Sequence, residues 1–115
     1  MDSNQTDIQV LVLVRDLIFA TKIRGTAEAL GRSVLMLRDP VKLSQHDARL
    51  LIVDLNLPGV IPLAAHWQSQ GDSNRKVVGF VSHVDADTIA RARAAGLDRV
   101  LPRSRFVEEL PALLA

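Results

Sequence analysis

The chain has no cysteine and no tyrosine, and aromatic residues make up only 3% of its 115 residues. Without cysteine it can form no disulfide, no thiolate nucleophile and no thiolate-ligated metal site. The 14 basic and 13 acidic side chains nearly cancel, so no overall charge attracts nucleic acid or acidic membranes. No apolar run approaches the roughly 20 residues that span a bilayer, and the polar start does not resemble a signal peptide. We therefore expect a cytoplasmic protein that binds neither nucleic acid nor membrane.

The chain length is sufficient for one buried core, and no internal repeat, low-complexity tract or linker divides the sequence. We predict a single domain over residues 1–115. Residues 1–7 are polar and precede the first apolar run, so we expect them to form a short disordered lead.

Short apolar runs alternate with segments of helical periodicity along the whole chain. This alternation predicts a doubly wound, parallel α/β sheet of five strands with helices on both faces and right-handed crossovers. The predicted strands cover residues 10–14, 33–37, 50–53, 77–81 and 99–101. The predicted helical segments run from Leu17 to a stop at Gly31, open briefly at Asp39 and Pro40, begin again at Pro62, cover residues 88–95 behind a cap at Asp85 or Asp87, and cover residues 106–114.

Asp54 ends the most distinctive segment of the sequence. Four branched apolar residues precede it, and Pro58 and Gly59 form a turn soon after it. Such a run is typical of a strand buried on both faces of a parallel sheet. Because ligands of open α/β sheets bind beyond the carboxyl ends of the strands, Asp54 is a candidate functional residue.

The sequence resembles the receiver domain of CheY-like response regulators, which accept a phosphoryl group in two-component signal transduction. Three matches carry the resemblance: the segment from Asp54 to Gly59 at the phosphoacceptor position, Ser82 at the end of the fourth strand, and residues 94–98 before the fifth. The resemblance implies a flavodoxin-like sheet with strand order 2-1-3-4-5. It also implies a protein partner, such as a histidine kinase.

The residues expected around Asp54 depart from the receiver pattern. The resemblance implies an acidic pair after the first strand, which holds Mg²⁺ through hard carboxylate oxygens. Counting back from Gly31 aligns this pair with Val14 and Arg15, whereas counting from the end of the apolar run aligns it with Arg15 and Asp16. In both alignments one acid is lost and a cation enters the pocket.

Further positions depart from the pattern in the same direction. Arg103, followed by Ser104, stands where the family has a lysine followed by proline, and its planar head is not an equivalent phosphate ligand. His83 follows Ser82 where a small residue is usual, and Val100 replaces the aromatic switch residue. The short connection after Gly31 implies a shortened second helix. The predicted pocket around Asp54 thus consists of Arg15, Asp16, Asn56, Ser82, His83 and Arg103.

We interpret the chain as a degenerate receiver, or pseudo-receiver. It would be a non-enzymatic signalling domain that acts through protein contacts, without a cofactor and without ordinary magnesium-dependent phosphorylation. Asp54 would then be a structural carboxylate bonded to Arg15, Arg103 or backbone donors.

Two alternatives remain open. One is a phosphorylatable single-domain response regulator that accepts the phosphoryl group on Asp54, with Asp16 and Asp54 as Mg²⁺ ligands. The other is a small-molecule sensor, although no glycine-rich phosphate loop follows any predicted strand.

A partner surface is predicted on the face formed by the last two helices and the fifth strand, which receiver domains commonly use for dimers. Side chains of both charge signs would lie there, a pattern suited to a two-fold homodimer. The interface candidates are Asp87, Arg91, Arg99, Arg105, Glu108 and Glu109.

Overall fold

The structure, a computed structural model, describes residues 8–71, 75–81 and 85–115. The predicted lead at residues 1–7, Ser82 and His83 lie outside the described residues. The strands are β1 (Val10–Leu13), β2 (Val34–Leu37), β3 (Leu50–Asp54), β4 (Lys76–Val81) and β5 (Arg99–Pro102). The helices are α1 (Leu17–Ala29), a 3-10 helix (Pro40–Gln45), α2 (Val60–Gln70), α3 (Ala86–Ala94) and α4 (Arg103–Leu114).

The strands form one parallel sheet with the order β2-β1-β3-β4-β5, which confirms the predicted topology. Val10 pairs with Val34 on one side and with Leu50 on the other, and Leu50 pairs in turn with Lys76. Strands β1 to β4 therefore start at nearly the same level. We call that end of the sheet the amino edge, and the opposite end, where Asp54 lies, the carboxyl edge.

The core has two layers because successive residues of a strand point to opposite faces of the sheet. Leu11, Leu13 and Val53 face the layer that contains α2, α3 and the 3-10 helix. Val12 and Ile52 face the layer of α1 and α4. Burying each such side chain contributes roughly 1.5–3 kcal/mol, so both layers stabilise the sheet.

All three phenylalanines of the protein meet in the layer of α1 and α4. The ring centroid of Phe80 lies 4.8 Å from those of Phe19 and Phe106, and the Phe19 and Phe106 centroids are 5.6 Å apart. Tilted and stacked rings at such distances add to the energy of burial. The cluster therefore joins α1, β4 and α4 beneath the carboxyl edge.

Three predicted helix starts were wrong, and the smallest correction concerns α3, which begins at Ala86 and not at residue 88. Helix α2 begins at Val60, directly after Gly59, whose positive φ of 69° turns the chain into the helix; Pro62 lies in the first turn, where its missing N–H leaves no bond unmade. Helix α4 begins at Arg103, three residues earlier than predicted. The apolar pattern could not locate this start because residues 103–105 are polar.

The second helical segment is shortened, as predicted. It is a 3-10 helix of six residues, and the Asp39 side chain caps it by accepting a hydrogen bond from the Val41 amide at 3.0 Å. Of the two predicted caps of α3, Asp85 is the one used: its Oδ1 accepts from the Thr88 amide at 3.1 Å. Within the described ranges, no helix has the length and apolar character needed to traverse a bilayer.

Candidate functional site

Asp54 is the last residue of β3 and is half-buried at the carboxyl edge. Its Oδ1 atom accepts a hydrogen bond from the Asn56 amide at 2.9 Å. A side chain that binds the amide two residues ahead forms an Asx turn, which here bends the chain toward Gly59 and α2. The prediction of backbone donors on Asp54 is thus confirmed, although this bond is not the only interaction of Asp54 or of Asn56.

Asp16 is the N-cap of α1. Its Oδ1 atom accepts hydrogen bonds from the amides of Ile18 and Phe19 at 3.0 and 3.1 Å. These two N–H groups have no partner inside the helix, and a carboxylate at this position also interacts favourably with the helix dipole. Asp16 is therefore committed to starting the helix.

The second oxygen of Asp16 faces Arg103. The distance from Asp16 Oδ2 to Arg103 Nη2 is 3.5 Å. The guanidinium carbon of Arg103 also lies 4.3 Å from the ring centroid of Phe19, a cation–π geometry. Arg103, the first residue of α4, thus covers the aromatic cluster and links α4 to the start of α1.

The predicted ion pair between Asp54 and Arg15 or Arg103 does not form. Arg103 pairs with Asp16 instead, because the packing of α4 against α1 places that carboxylate beside its guanidinium. Arg15 is exposed, and it makes no ion pair with any described residue. Neither Arg15 nor Arg103 therefore provides the predicted arginine partner of Asp54.

The described residues offer few protein ligands for a magnesium ion at this edge. Mg²⁺ requires a near-octahedral set of hard oxygen ligands. Among the described residues, no three histidine, aspartate or glutamate side chains lie together in a way that could hold a metal ion. One oxygen of Asp16 is bound to the helix and the other faces a guanidinium, so Asp16 is poorly placed to serve as a ligand.

No model of a known protein family matches the chain, and no curated protein matches it in sequence. Solved structures do match. A CheY-like receiver domain protein from Methanospirillum hungatei has 14% identity and a TM-score of 0.75, over 95% of this chain and 94% of that one. A response regulator from Hahella chejuensis has 18% identity and a TM-score of 0.76, over 95% and 92%. This is the receiver fold.

A third match, a response regulator protein from Burkholderia pseudomallei, was solved with a phosphorylated aspartic acid, a calcium ion and citrate. It has 20% identity and a TM-score of 0.76, over 95% of this chain and 67% of that one. At such identities the likeness establishes the fold, and the site must be judged from its own residues.

The charged residues on the α3–β5–α4 face of this receiver fold are mostly paired within the chain. Arg91 lies 3.2 Å from Asp87, one helical turn away. Glu109 binds both Arg99 and Arg105, at 2.5 and 2.7 Å. Glu108 makes no ion pair with a described residue. Five of the six interface candidates therefore already have an intrachain partner, which a two-fold contact would have to displace.

The Glu109 cluster has a clear electrostatic consequence. The hydrogen bond from Arg105 lowers the pKa of Glu109, and the bond and charge of Arg99 act in the same direction. The same contact with Glu109 raises the pKa of Arg105. Both side chains are thus held in their charged forms.

Sequence reasoning missed a second cluster, which lies at the amino edge. Arg75 donates from Nε and Nη2 to Asp47 Oδ1 at 3.1 and 2.7 Å, and from Nη1 to the Trp67 carbonyl at 2.6 Å. Its guanidinium carbon lies 4.4 Å from the Trp67 ring centroid. Trp67 Nε1 donates to the His46 carbonyl at 3.0 Å. No sequence signal joins these residues, because they come from the segment before β3, from α2 and from the residue before β4.

Proposed function

We propose that the protein is a receiver-like signalling domain that acts through protein contacts and is not switched by ordinary magnesium-dependent phosphorylation of Asp54. The observation that carries this proposal is the engagement of Asp16: one oxygen caps α1 and the other faces Arg103. Both carboxylate oxygens of Asp16, the acid that the alternative reading assigns to the metal, therefore already have contacts within the chain.

Phosphoryl transfer to a carboxylate depends on neutralising the charge of the transferred group, and a divalent cation usually supplies most of that charge. Removing the acidic pair lowers the affinity for the cation. Arg103 does not make up the deficit, since its guanidinium packs on Phe19 and faces Asp16. A chain with this edge keeps the receiver architecture without the means to assemble the transfer site.

The exposed start of α1 supports a protein partner. The side chains of Leu17 and Ile18 are 66% and 84% exposed, although both are large and apolar. They stand beside Arg15 and Asp16 at the carboxyl edge, and Lys22 and Arg24 are exposed further along the same helix. Apolar residues with a polar rim are typical of protein-binding surfaces. We propose this start of α1 as the contact for a protein partner, a histidine kinase being one candidate.

The phosphorylation part of the proposal is tested by intact-mass measurement after incubation with acetyl phosphate and Mg²⁺. We expect no phosphoryl adduct on the wild type. The matched variant, Arg15→Asp with Arg103→Lys, restores an acidic pair and the family's lysine, and we expect it to gain an adduct. A wild-type adduct that disappears in Asp54→Ala would contradict the proposal and favour the phosphorylatable response regulator.

The α3–β5–α4 face remains a proposal for a homodimer, and sedimentation velocity distinguishes it from the start of α1. If copies associate through α1, Ile18→Glu shifts the protein toward monomer, whereas Arg91→Glu leaves the distribution unchanged. The reverse result would assign self-association to the α3–β5–α4 face, where Arg91 would exchange Asp87 for an acid of the second copy.

A further inference from the structure

A pocket opens at the amino edge of the sheet, at the opposite end of the molecule from Asp54. Its volume is about 370 Å³, within the range of small-molecule sites. Its walls are formed by Arg32, by the starts of β1, β3 and β4, and by the end of α4. The pocket is separate from every residue used in the proposed signalling function.

Every functional side-chain group that remains available in the lining is a hydrogen-bond donor. Arg32, Arg49 and Lys76 line the pocket, and no aspartate or glutamate does. Gln9 also lines it, but its Oε1 already accepts a hydrogen bond from the Ser33 amide at 3.0 Å, which leaves its NH₂ group to donate. Ala115 also lines the pocket, but its methyl side chain carries no polar group, so the side-chain chemistry of the lining is suited to an anion.

The cations of the pocket form no ion pairs with described residues. Arg49 and Lys76 make no ion pair with any of them, whereas Arg75, Arg91, Arg99, Arg103 and Arg105 each do. The two residues are neighbours across the sheet, since the Lys76 amide donates to the Arg49 carbonyl at 2.8 Å. Two basic residues therefore line the pocket from adjacent backbone positions.

The third cation is positioned by the backbone. Arg32 is half-buried, and its Nε donates to the Leu114 carbonyl at 2.8 Å. This bond fixes the plane of the guanidinium and leaves its terminal nitrogens as donors. Such an oriented planar group suits the two oxygens of a carboxylate or phosphate.

Apolar side chains complete the lining. Val10 and Leu114 are almost fully buried, and Leu50 and Leu113 are half-buried. An inorganic ion would leave this part of the wall uncovered. We propose that the pocket binds a small organic anion, with a carboxylate or phosphate head among Arg32, Arg49 and Lys76 and a short alkyl chain against the leucines.

Titration of ¹⁵N-labelled protein with hexanoate and with hexyl phosphate tests the proposal and distinguishes the two heads. We expect saturable chemical-shift changes at the amides of Gln9, Arg49 and Lys76. Hexanol lacks the charge and inorganic phosphate lacks the chain, so both should bind more weakly. If either matches the affinity of the better amphiphilic anion, or if neither anion shifts these amides, the proposal is wrong.

A second experiment reverses the charges of two basic residues of the pocket. Arg49→Glu with Lys76→Glu should weaken binding about tenfold or more, because charge-assisted hydrogen bonds are lost and repulsion is gained. Arg93→Glu, an exposed arginine of α3 without an ion pair to a described residue, is the matched control and should bind as the wild type does. The neutral pair Arg49→Gln with Lys76→Gln gives the same comparison if the reversal perturbs the fold. Unchanged affinity in a folded variant would overturn the assignment.

Discussion

Two clusters, each of an arginine, an aromatic residue and an aspartate, lie at opposite edges of the sheet. We call Arg75, Trp67 and Asp47 the amino-edge cluster, and Arg103, Phe19 and Asp16 the carboxyl-edge cluster. Each places a guanidinium over an aromatic ring, at 4.4 and 4.3 Å from the centroid, and opposite an aspartate. Each also joins segments that are distant in the sequence.

The two clusters differ in how firmly the arginine is bound. Arg75 makes two hydrogen bonds to Asp47 and one to the Trp67 carbonyl, and its side chain is only 12% exposed. Arg103 has a single contact of 3.5 Å with Asp16 and is 42% exposed. Exposed ion pairs contribute about 0–1 kcal/mol, so the contact between Arg103 and Asp16 adds little to the stability of the fold. The firm cluster stabilises the fold, whereas the weaker one lies at the edge where α/β proteins bind their ligands.

Removal of the firm arginine should have the largest effect. Arg75→Ala deletes a nearly buried cation with three hydrogen bonds and a ring contact, and we expect the free energy of unfolding to fall by about 2–3 kcal/mol. Urea unfolding followed by Trp67 fluorescence measures this change. Asp47→Ala should cost less, since Asp47 is 86% exposed and the carbonyl and ring contacts of Arg75 remain. Equal losses of unfolding free energy in the two variants would mean that the cluster stabilises the fold through the ion pair alone.

Removal of the weaker arginine should have a smaller effect. Arg103→Ala loses one exposed ion pair and a cation–π contact, and we expect a loss of about 0.5–1 kcal/mol. Raising the salt concentration should narrow the difference from the wild type, because exposed pairs are screened. A loss as large as that of Arg75→Ala would remove the distinction between the two clusters.

The sequence was sufficient for the sheet and insufficient for both clusters. The apolar runs predict all five strands, because a buried strand is recognisable from the apolar residues of its own segment. The resemblance supplies the order of the strands. The cap at Asp16 also had a local signal, an aspartate just before the first helical residue, Leu17. The resemblance instead placed Asp16 in the predicted pocket, and one alternative made it a Mg²⁺ ligand. The contact between Asp16 and Arg103 joins residues 87 positions apart, and no local pattern encodes it.

A third arginine–carboxylate cluster, at Glu109, differs from the other two because it contains no aromatic ring. Its hydrogen bonds, chiefly from Arg105, lower the pKa of Glu109 below its ordinary value of 4.5. A carboxyl group whose pKa falls on folding stabilises the native state at pH above the unfolded value. That contribution disappears as the pH falls through the lower, folded value.

Glu109→Gln should therefore be less stable than the wild type near neutral pH, and the difference should shrink as the pH falls below 4.5. We expect this to be the smallest of the three effects, since the residues lie at the surface where solvent screens the charges. Urea unfolding midpoints measured from about pH 3 to pH 7 follow the difference. Glu108→Gln is the matched control, because it removes a neighbouring carboxylate that has no ion pair with a described residue. A difference in stability that widens toward acid pH would mean that Arg99 and Arg105 do not hold Glu109 as an anion. Only the two clusters with an aromatic ring would then stabilise the fold through their arginines.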